Sequence, residues 1–317
     1  MTSIRSIKRP ARRAGMLGVH SLDSIGLTVP DLSVAVDFYR ALGTDVHEYA
    51  DRIEISTFGN PHVWGTIRED SRKKLAHLSF GVFEDDRERF AKSLEAQGIR
   101  CLDPPSGCES DGIWIRNPDG LPIELRVAEK TSPDEKSTFG TGSCAPGTQG
   151  ACNRGTAPGT RPNRLAHTLI FASDLDQSIE FYTKVLGMRL SDRAGEGVAF
   201  LHGIHGSDHH MIAIAKSAGP GLHHLSWGVN SLDEIGLAAR QMAENGYVEG
   251  WGLGRHVLGS NYFHYVRDPW GSYSEYSCDI DYIPVDSEWQ AETHGAEDAF
   301  YLWGPSPPED FAVNREL

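Results

Sequence analysis

Asp31-Leu32-Ser33-Val34-Ala35-Val36-Asp37-Phe38-Tyr39, closing at Leu42-Gly43, decides the architecture, because it returns 143 positions later as Asp174-Leu175-Asp176-Gln177-Ser178-Ile179-Glu180-Phe181-Tyr182, closing at Leu186-Gly187. In both copies an Asp precedes an apolar-periodic run and offers an N-cap, while a Gly after the last Leu offers a helix stop. Each copy reads as a short helix after a strand. The repeat extends downstream. Ala76-His77-Leu78-Ser79-Phe80-Gly81-Val82 parallels His223-His224-Leu225-Ser226-Trp227-Gly228-Val229, and Asn117-Pro118-Asp119-Gly120…Glu124 parallels Asp268-Pro269-Trp270-Gly271…Glu275. An internal repeat of this length means a duplicated domain.

Within each half the pattern of strand, helix and alternating strands, such as Gly197–Leu201 and Met211–Ala215, occurs twice. The expected fold is α+β: two tandem domains, each of paired β-α-β-β-β modules forming a cupped mixed sheet with helices on one face and a free face opposite. The chain divides into an arm at 1–20, a first domain at 21–128, a linker at 129–163, a second domain at 164–285 and a tail at 286–317. The linker is rich in Gly, Ser, Thr and Pro and holds Cys144 and Cys152; it is expected to be a long surface loop. The tail carries Trp289, Phe300, Tyr301, Trp303 and Phe311 and is expected to pack back on the second domain. The arm, with Arg5, Lys8, Arg9, Arg12 and Arg13, is expected to be solvated.

At 317 residues and 39% hydrophobic the chain can bury two sizeable cores. A net charge of −14 argues against unaided binding to nucleic acid or an anionic membrane. There is no continuous apolar stretch long enough to span a bilayer and no signal-type segment, so a cytoplasmic location is expected. Five cysteines without a CxxC pair indicate neither a disulfide framework nor a thiolate zinc site.

His167, His224 and Glu275 supply two imidazoles and a carboxylate, the composition of an open-faced Fe(II) site. Each stands in or beside a strand, and ligands on separate strands of one cupped sheet can converge. If His167 faces the open side, Leu169 and Phe171 share that side while Thr168 and Ile170 point toward the helices. A single histidine is more often a hydrogen-bonded core residue; the joint pattern is what points to a metal. The first half has His77 and Glu124 at the positions of His224 and Glu275 but Ser24 in place of His167. It is therefore expected to be metal-free. His210 or its neighbour His209, together with His256 and Tyr265, adds groups able to move or hold a proton.

With Gly254-x-His256, Tyr265, Asp268-Pro269-x-Gly271 and Glu275 in this spacing, the second half resembles the type I extradiol ring-cleaving dioxygenases (catechol 2,3-dioxygenase-like) of the vicinal oxygen chelate superfamily. The resemblance covers nearly all of residues 165–280, and the first half is similar to the degenerate module of such two-domain proteins. It implies that His167, His224 and Glu275 bind Fe(II), less often Mn(II). His210 would be the acid-base residue, and His256 and Tyr265 would hydrogen-bond the catecholate oxygens. It further implies a catecholic substrate, O2 as co-substrate, a muconic semialdehyde-type product of aromatic degradation, and a homo-oligomer of tetramer size or larger. His264, before Tyr265, departs from the family pattern. Two rival readings are a glyoxalase-like metal isomerase or lyase, which ordinarily needs a fourth protein ligand, and a metal-free drug-sequestering binder, which predicts loss of the ligands in both halves.

Overall fold

The computed structural model describes residues 10–140 and 144–317; Arg5, Lys8 and Arg9 lie outside them. The first half contributes strands β1 (Ser21–Val29), β2 (Asp45–Glu48), β3 (Arg52–Thr57), β4 (Asn60–Glu69), β5 (Lys74–Val82), β6 (Ile113–Arg116) and β7 (Pro122–Val127), with helices α1 (Leu32–Leu42) and α2 (Arg87–Ala96). These seven strands form one sheet in the order β2-β3-β4-β1-β5-β7-β6. The second half contributes β8 (Arg164–Ala172), β9 (Arg189–Ala194), β10 (Val198–His202), the two-residue β11 (Ser207–Asp208), β12 (Ile212–Lys216), β13 (Gly221–Gly228), β14 (Gly250–Arg255), β15 (Tyr262–Arg267) and β16 (Tyr273–Cys278), with α3 (Leu175–Glu180) and α4 (Leu232–Glu244). β17 (Tyr282–Ile283) closes the second half, and the tail adds β18 (Glu292–His294). The second sheet runs β14-β15-β16-β13-β8-β12-β10-β9-β18, while β11 pairs with β17 apart from it.

The mixed character is the same in both halves. β1 lies parallel to β4 and antiparallel to β5, which lies parallel to β7; β8 lies parallel to β12 and antiparallel to β13, which lies parallel to β16. The duplicated helices start as expected, because Asp31 accepts from the backbone N–H of Ser33 and Val34, and Asp174 from that of Gln177. They stop on left-handed glycines, Gly43 at φ 91° and Gly187 at φ 73°. α3 passes into a π-helical turn at Phe181–Val185 before it ends.

Three expectations need correction. The second module of the first half lacks a strand. Where β14 stands in the second half, only the bridge from Leu102 to Trp114 survives, followed by Pro104 and Pro105, which have no N–H to extend a ladder. The arm is not a solvated tail over its described part: Arg12 pairs with Asp85 and Asp86 at 2.7 and 2.9 Å, and Val19 is buried with its N–H on the Leu186 carbonyl. Nor do the halves keep two separate cores. Their apolar side chains form one continuous cluster. Across the join, Phe38 meets Tyr247 edge-on at 5.1 Å, Tyr39 meets Trp227 at 6.4 Å, and the Tyr276 hydroxyl donates to the Leu42 carbonyl at 2.8 Å.

The described part of the 129–163 segment is largely irregular but docked. Thr131 and Ser132 donate their N–H to Ser21 Oγ at 2.8 and 2.9 Å, Phe139 stacks on Tyr262, and Thr160 N–H donates to Gln241 Oε1 at 2.8 Å. The tail does pack on the second half, through β18 on β9 and Phe311 in a cluster with Trp251, Tyr265 and Tyr273. It also reaches the first half. The buried Lys73 ammonium meets the buried Glu316 carboxylate at 2.6 Å, and Leu75 N–H donates to the other carboxylate oxygen at 2.9 Å. Lys73→Met leaves that carboxylate buried without a counter-charge and is expected to destabilise the protein by about 3–5 kcal/mol in urea unfolding. A change under about 1 kcal/mol would show that the pair contributes little.

Candidate metal centre

Strand register explains why three residues far apart in sequence meet. Ser226 on β13 is the cross-strand partner of His167 on β8 and also of Glu275 on β16. The three therefore stand in one row across the sheet. His224 lies two residues before Ser226, on the same side. The donor atoms of His167, His224 and Glu275 all lie within 4.8 Å of one another, and all three residues are buried. Glu275 Oε2 is 3.1 Å from His167 Nε2 and 3.7 Å from His224 Nε2. No other such group occurs among the described residues.

The geometry of this cluster leaves polar atoms unmatched. Glu275 Oε2, His224 Nε2 and His167 Nδ1 are buried without hydrogen-bond partners, a costly state for an apolar interior. Burial works to raise the Glu275 carboxyl, but the imidazoles of His167 and His256 outweigh it and hold it well below the usual carboxylate range. Burial, with His223 beside it, pushes His224 well below the usual imidazole range, so it presents a neutral ring. Two imidazoles and one carboxylate with donor atoms within ligand reach of one another fit a divalent cation such as Fe(II) or Mn(II).

The other expected residues surround this cluster. Leu169, Phe171, His210, His256 and Tyr265 line the same cavity as His167 and His224, whereas Thr168 turns away to donate to the His224 carbonyl at 3.0 Å and Ile170 joins the core. Of the two adjacent histidines, His210 faces the cavity, its ring 4.2 Å from that of His167. His209 faces away and bonds Asp192 Oδ2 through Nε2 at 2.8 Å, while its Nδ1 is 3.1 Å from that of His210. His256 Nε2 is 3.1 Å from the Tyr265 hydroxyl, and its Nδ1 donates to the Phe300 carbonyl. Burial first, and then the Glu275 charge, keep Tyr265 a phenol. His264 lies off the cavity and is not part of this constellation.

Asn261 was not anticipated. It is buried and donates from Nδ2 to Glu275 Oε1 at 3.1 Å, and its backbone carbonyl accepts from His256 N–H at 2.9 Å. Its place between His256 and Tyr265 was the available signal, but an Asn next to Gly259-Ser260 reads first as a turn residue. Of the tail aromatics, Phe300 and Phe311 line the cavity; Trp289 and Trp303 do not.

The first half carries the same row without the same chemistry. Ser79 pairs with Ser24 on one side and Glu124 on the other, so Ser24 stands where His167 does. Glu124 is held by the hydroxyls of Ser79 and Ser110. His77 lies over Gly26, where a Cβ would sit 2.1 Å from its ring, and contacts Cys108 Sγ at 3.7 Å.

Residues 21–125 and 164–276 match the family profile of the Glyoxalase/Bleomycin resistance protein/Dioxygenase superfamily. The chain belongs to that superfamily. Within it, the chain is 43% identical over 298 residues to metapyrocatechase 2 of Cupriavidus necator, covering 94% of this chain and 93% of that one. Its fold is similar to a Mn(II)-bound glyoxalase from Novosphingobium aromaticivorans, with a TM-score of 0.74 at 24% identity over 93% of this chain and 94% of that one. An extradiol ring-cleaving dioxygenase from B.fuscum superposes with a TM-score of 0.75 at 19% identity, over 95% and 84%. No helix among the described residues is long and apolar enough to cross a membrane.

Burial pushes His20, His77, His202, His205 and His264, all away from the triad, down to about 4. Between the ordinary value of about 6.5 and about 4, the unfolded chain therefore binds more protons than the folded one. Stability is fully present above pH about 6.5 and falls as pH drops toward 4, by up to about 1.4 kcal/mol per pH unit for each such group. Urea midpoints of metal-free protein from pH 7.5 to 4.5 should fall steadily; a flat profile would contradict these buried neutral rings.

Proposed function

We propose that this chain is an extradiol dioxygenase that opens a catechol-type ring beside its diol, using Fe(II) and O2, and yields a muconic semialdehyde-type product in aromatic degradation. The observation that carries the reading is the buried meeting of His167, His224 and Glu275, with His224 Nε2 and Glu275 Oε2 unpartnered, beside a largely apolar cavity. The 43% identity to a metapyrocatechase supports the same reading.

His167, His224 and Glu275 would hold the ferrous ion, with Mn(II) as the alternative occupant. When bound, that ion supplies the point at which the diol is gathered and the electronic route by which a singlet ring reacts with triplet oxygen. The remaining steps belong to side chains. The Phe300 carbonyl accepts the His256 Nδ1 proton, which leaves Nε2 as the nitrogen that meets the Tyr265 hydroxyl at 3.1 Å. This pair receives or returns a proton at one diol oxygen. On the opposite side the Asp192 carboxylate fixes the proton of His209 on Nε2, whose Nδ1 then accepts from His210 Nδ1. His210 is left with Nε2 as its free nitrogen, a base first and an acid later.

The cavity walls are Phe171, Phe200, Leu258, Phe300 and Phe311, with neither lysine nor arginine among the lining residues. That lining suits an uncharged mono- or bicyclic catechol and excludes bulk water. A glyoxalase-like site would need a fourth protein ligand, and the cluster has three.

Anaerobically loaded protein is expected to bind about one Fe(II) per chain and to turn catechol yellow only once air is admitted. Glu275→Ala should lose the metal, while Glu124→Ala should keep the full complement. His210→Phe should retain iron and slow turnover by roughly two to four orders of magnitude. Yellow product from Glu275→Ala at the wild-type rate would refute the reading.

A further inference from the structure

His223 has no part in the reading above, although it is buried, points into the same cavity as His224 and is its direct neighbour in sequence. Neighbours on a regular strand face opposite sides. Here they do not, because β13 bulges: Leu222 pairs with Ile170 and His224 with Leu169, which leaves His223 as an extra residue with no partner of its own. The bulge brings the two rings to 5.0 Å and the two Nδ1 atoms to 2.7 Å. Beyond it, His223 Nε2 lies 2.8 Å from the backbone carbonyl of Phe311 in the tail.

The protons in this chain of contacts have only one arrangement. A carbonyl accepts and never donates, so His223 Nε2 carries the hydrogen. Neutral His223 then has a lone pair on Nδ1, and the 2.7 Å contact requires His224 Nδ1 to be the donor. His224 therefore keeps its lone pair on Nε2, the atom that faces Glu275 and has no partner. The other tautomer would place a proton on the nitrogen that must meet the cation.

The duplication supplies the control. β5 carries the same bulge, since Gly26 pairs with His77 and Leu27 with Leu75, leaving Ala76 as the extra residue. The geometry is common to both halves, but the imidazole stands only in the half with the complete ligand set.

We propose that His223 is a positioning residue that fixes the ligating tautomer and orientation of His224, and that the C-terminal tail completes this relay through the Phe311 carbonyl. The inference rests on the assignment of His224 as a metal ligand. It also makes metal retention depend on tail docking, because Phe311 is held in place by the Asn314 contacts to Gly219 and Pro220 and by the Glu316–Lys73 pair. Partners that orient a ligating imidazole are commonly worth about 10–100-fold in metal affinity.

The test titrates the metal-free full chain anaerobically with Mn(II) alone against a chromophoric chelator, and reads imidazole tautomers in metal-free protein by 15N NMR. His223→Phe is expected to weaken Mn(II) binding about 10–100-fold with the fold intact, and to let a proton appear on His224 Nε2. His223→Gln, whose amide can accept from His224 and donate to Phe311, should restore most of the affinity. Truncation after Asp310 should weaken binding like His223→Phe, and the two changes together should cost little more than either. Affinity within twofold of wild type in His223→Phe, or His224 protonated on Nε2 in the wild type, would overturn the proposal. If His223→Phe does not fold, the wild-type NMR result and the His223→Gln affinity decide. Wild-type protein that shows the expected tautomer but takes no Mn(II) or Fe(II) would sink the dioxygenase reading and leave the relay standing.

Discussion

Unpartnered lone pairs held away from water govern this structure. An ordinary core satisfies its buried polar atoms, because leaving one bare costs on the order of 1–3 kcal/mol. Here Glu275 Oε2 and His224 Nε2 are left bare side by side, and the surroundings keep them so: burial holds His224 neutral, and neighbouring imidazoles keep Glu275 ionised. The remaining features serve that arrangement. The sheet register sets His167, Ser226 and Glu275 in a row, the bulge at His223 turns a second imidazole inward, and Asn261 holds the far carboxylate oxygen.

Acceptors that cannot donate set the direction of each nearby histidine. The Phe300 carbonyl does so for His256, the Phe311 carbonyl for His223, and the Asp192 carboxylate for His209. Two of these lie in or beside tail residues, and Asp192 also accepts from Glu292 N–H in β18. The tail is thus a part of the site and not merely a cover for the core.

Much of the site was legible in the sequence because it depends on local periodicity and on internal comparison. The Asp-cap and Gly-stop signals gave both α1 and α3, alternation along β8 put Leu169 and Phe171 beside His167, and the Ser24 substitution marked the half without a ligand set. What escaped reading depends on long-range register or on irregularity. The bulge at His223 breaks the alternation used to assign faces, and only paired strands reveal it. Asn261 is drawn in by a carboxylate fourteen positions later. The missing strand after Leu102 and the arm anchored by Asp85 and Asp86 reflect tertiary contacts that override local composition. The choice between His209 and His210 needed the position of Asp192.

The shared apolar cluster has an evolutionary consequence. Phe38 of α1 packs on Tyr247 in the loop that follows α4, and Leu42 receives the Tyr276 hydroxyl from the strand that bears Glu275. A gene that shed the first half would expose these aromatic faces and strand the Glu316 carboxylate without Lys73. Deletion of the half that carries Ser24 at the histidine's position is thereby costly, whatever its own polar pocket holds.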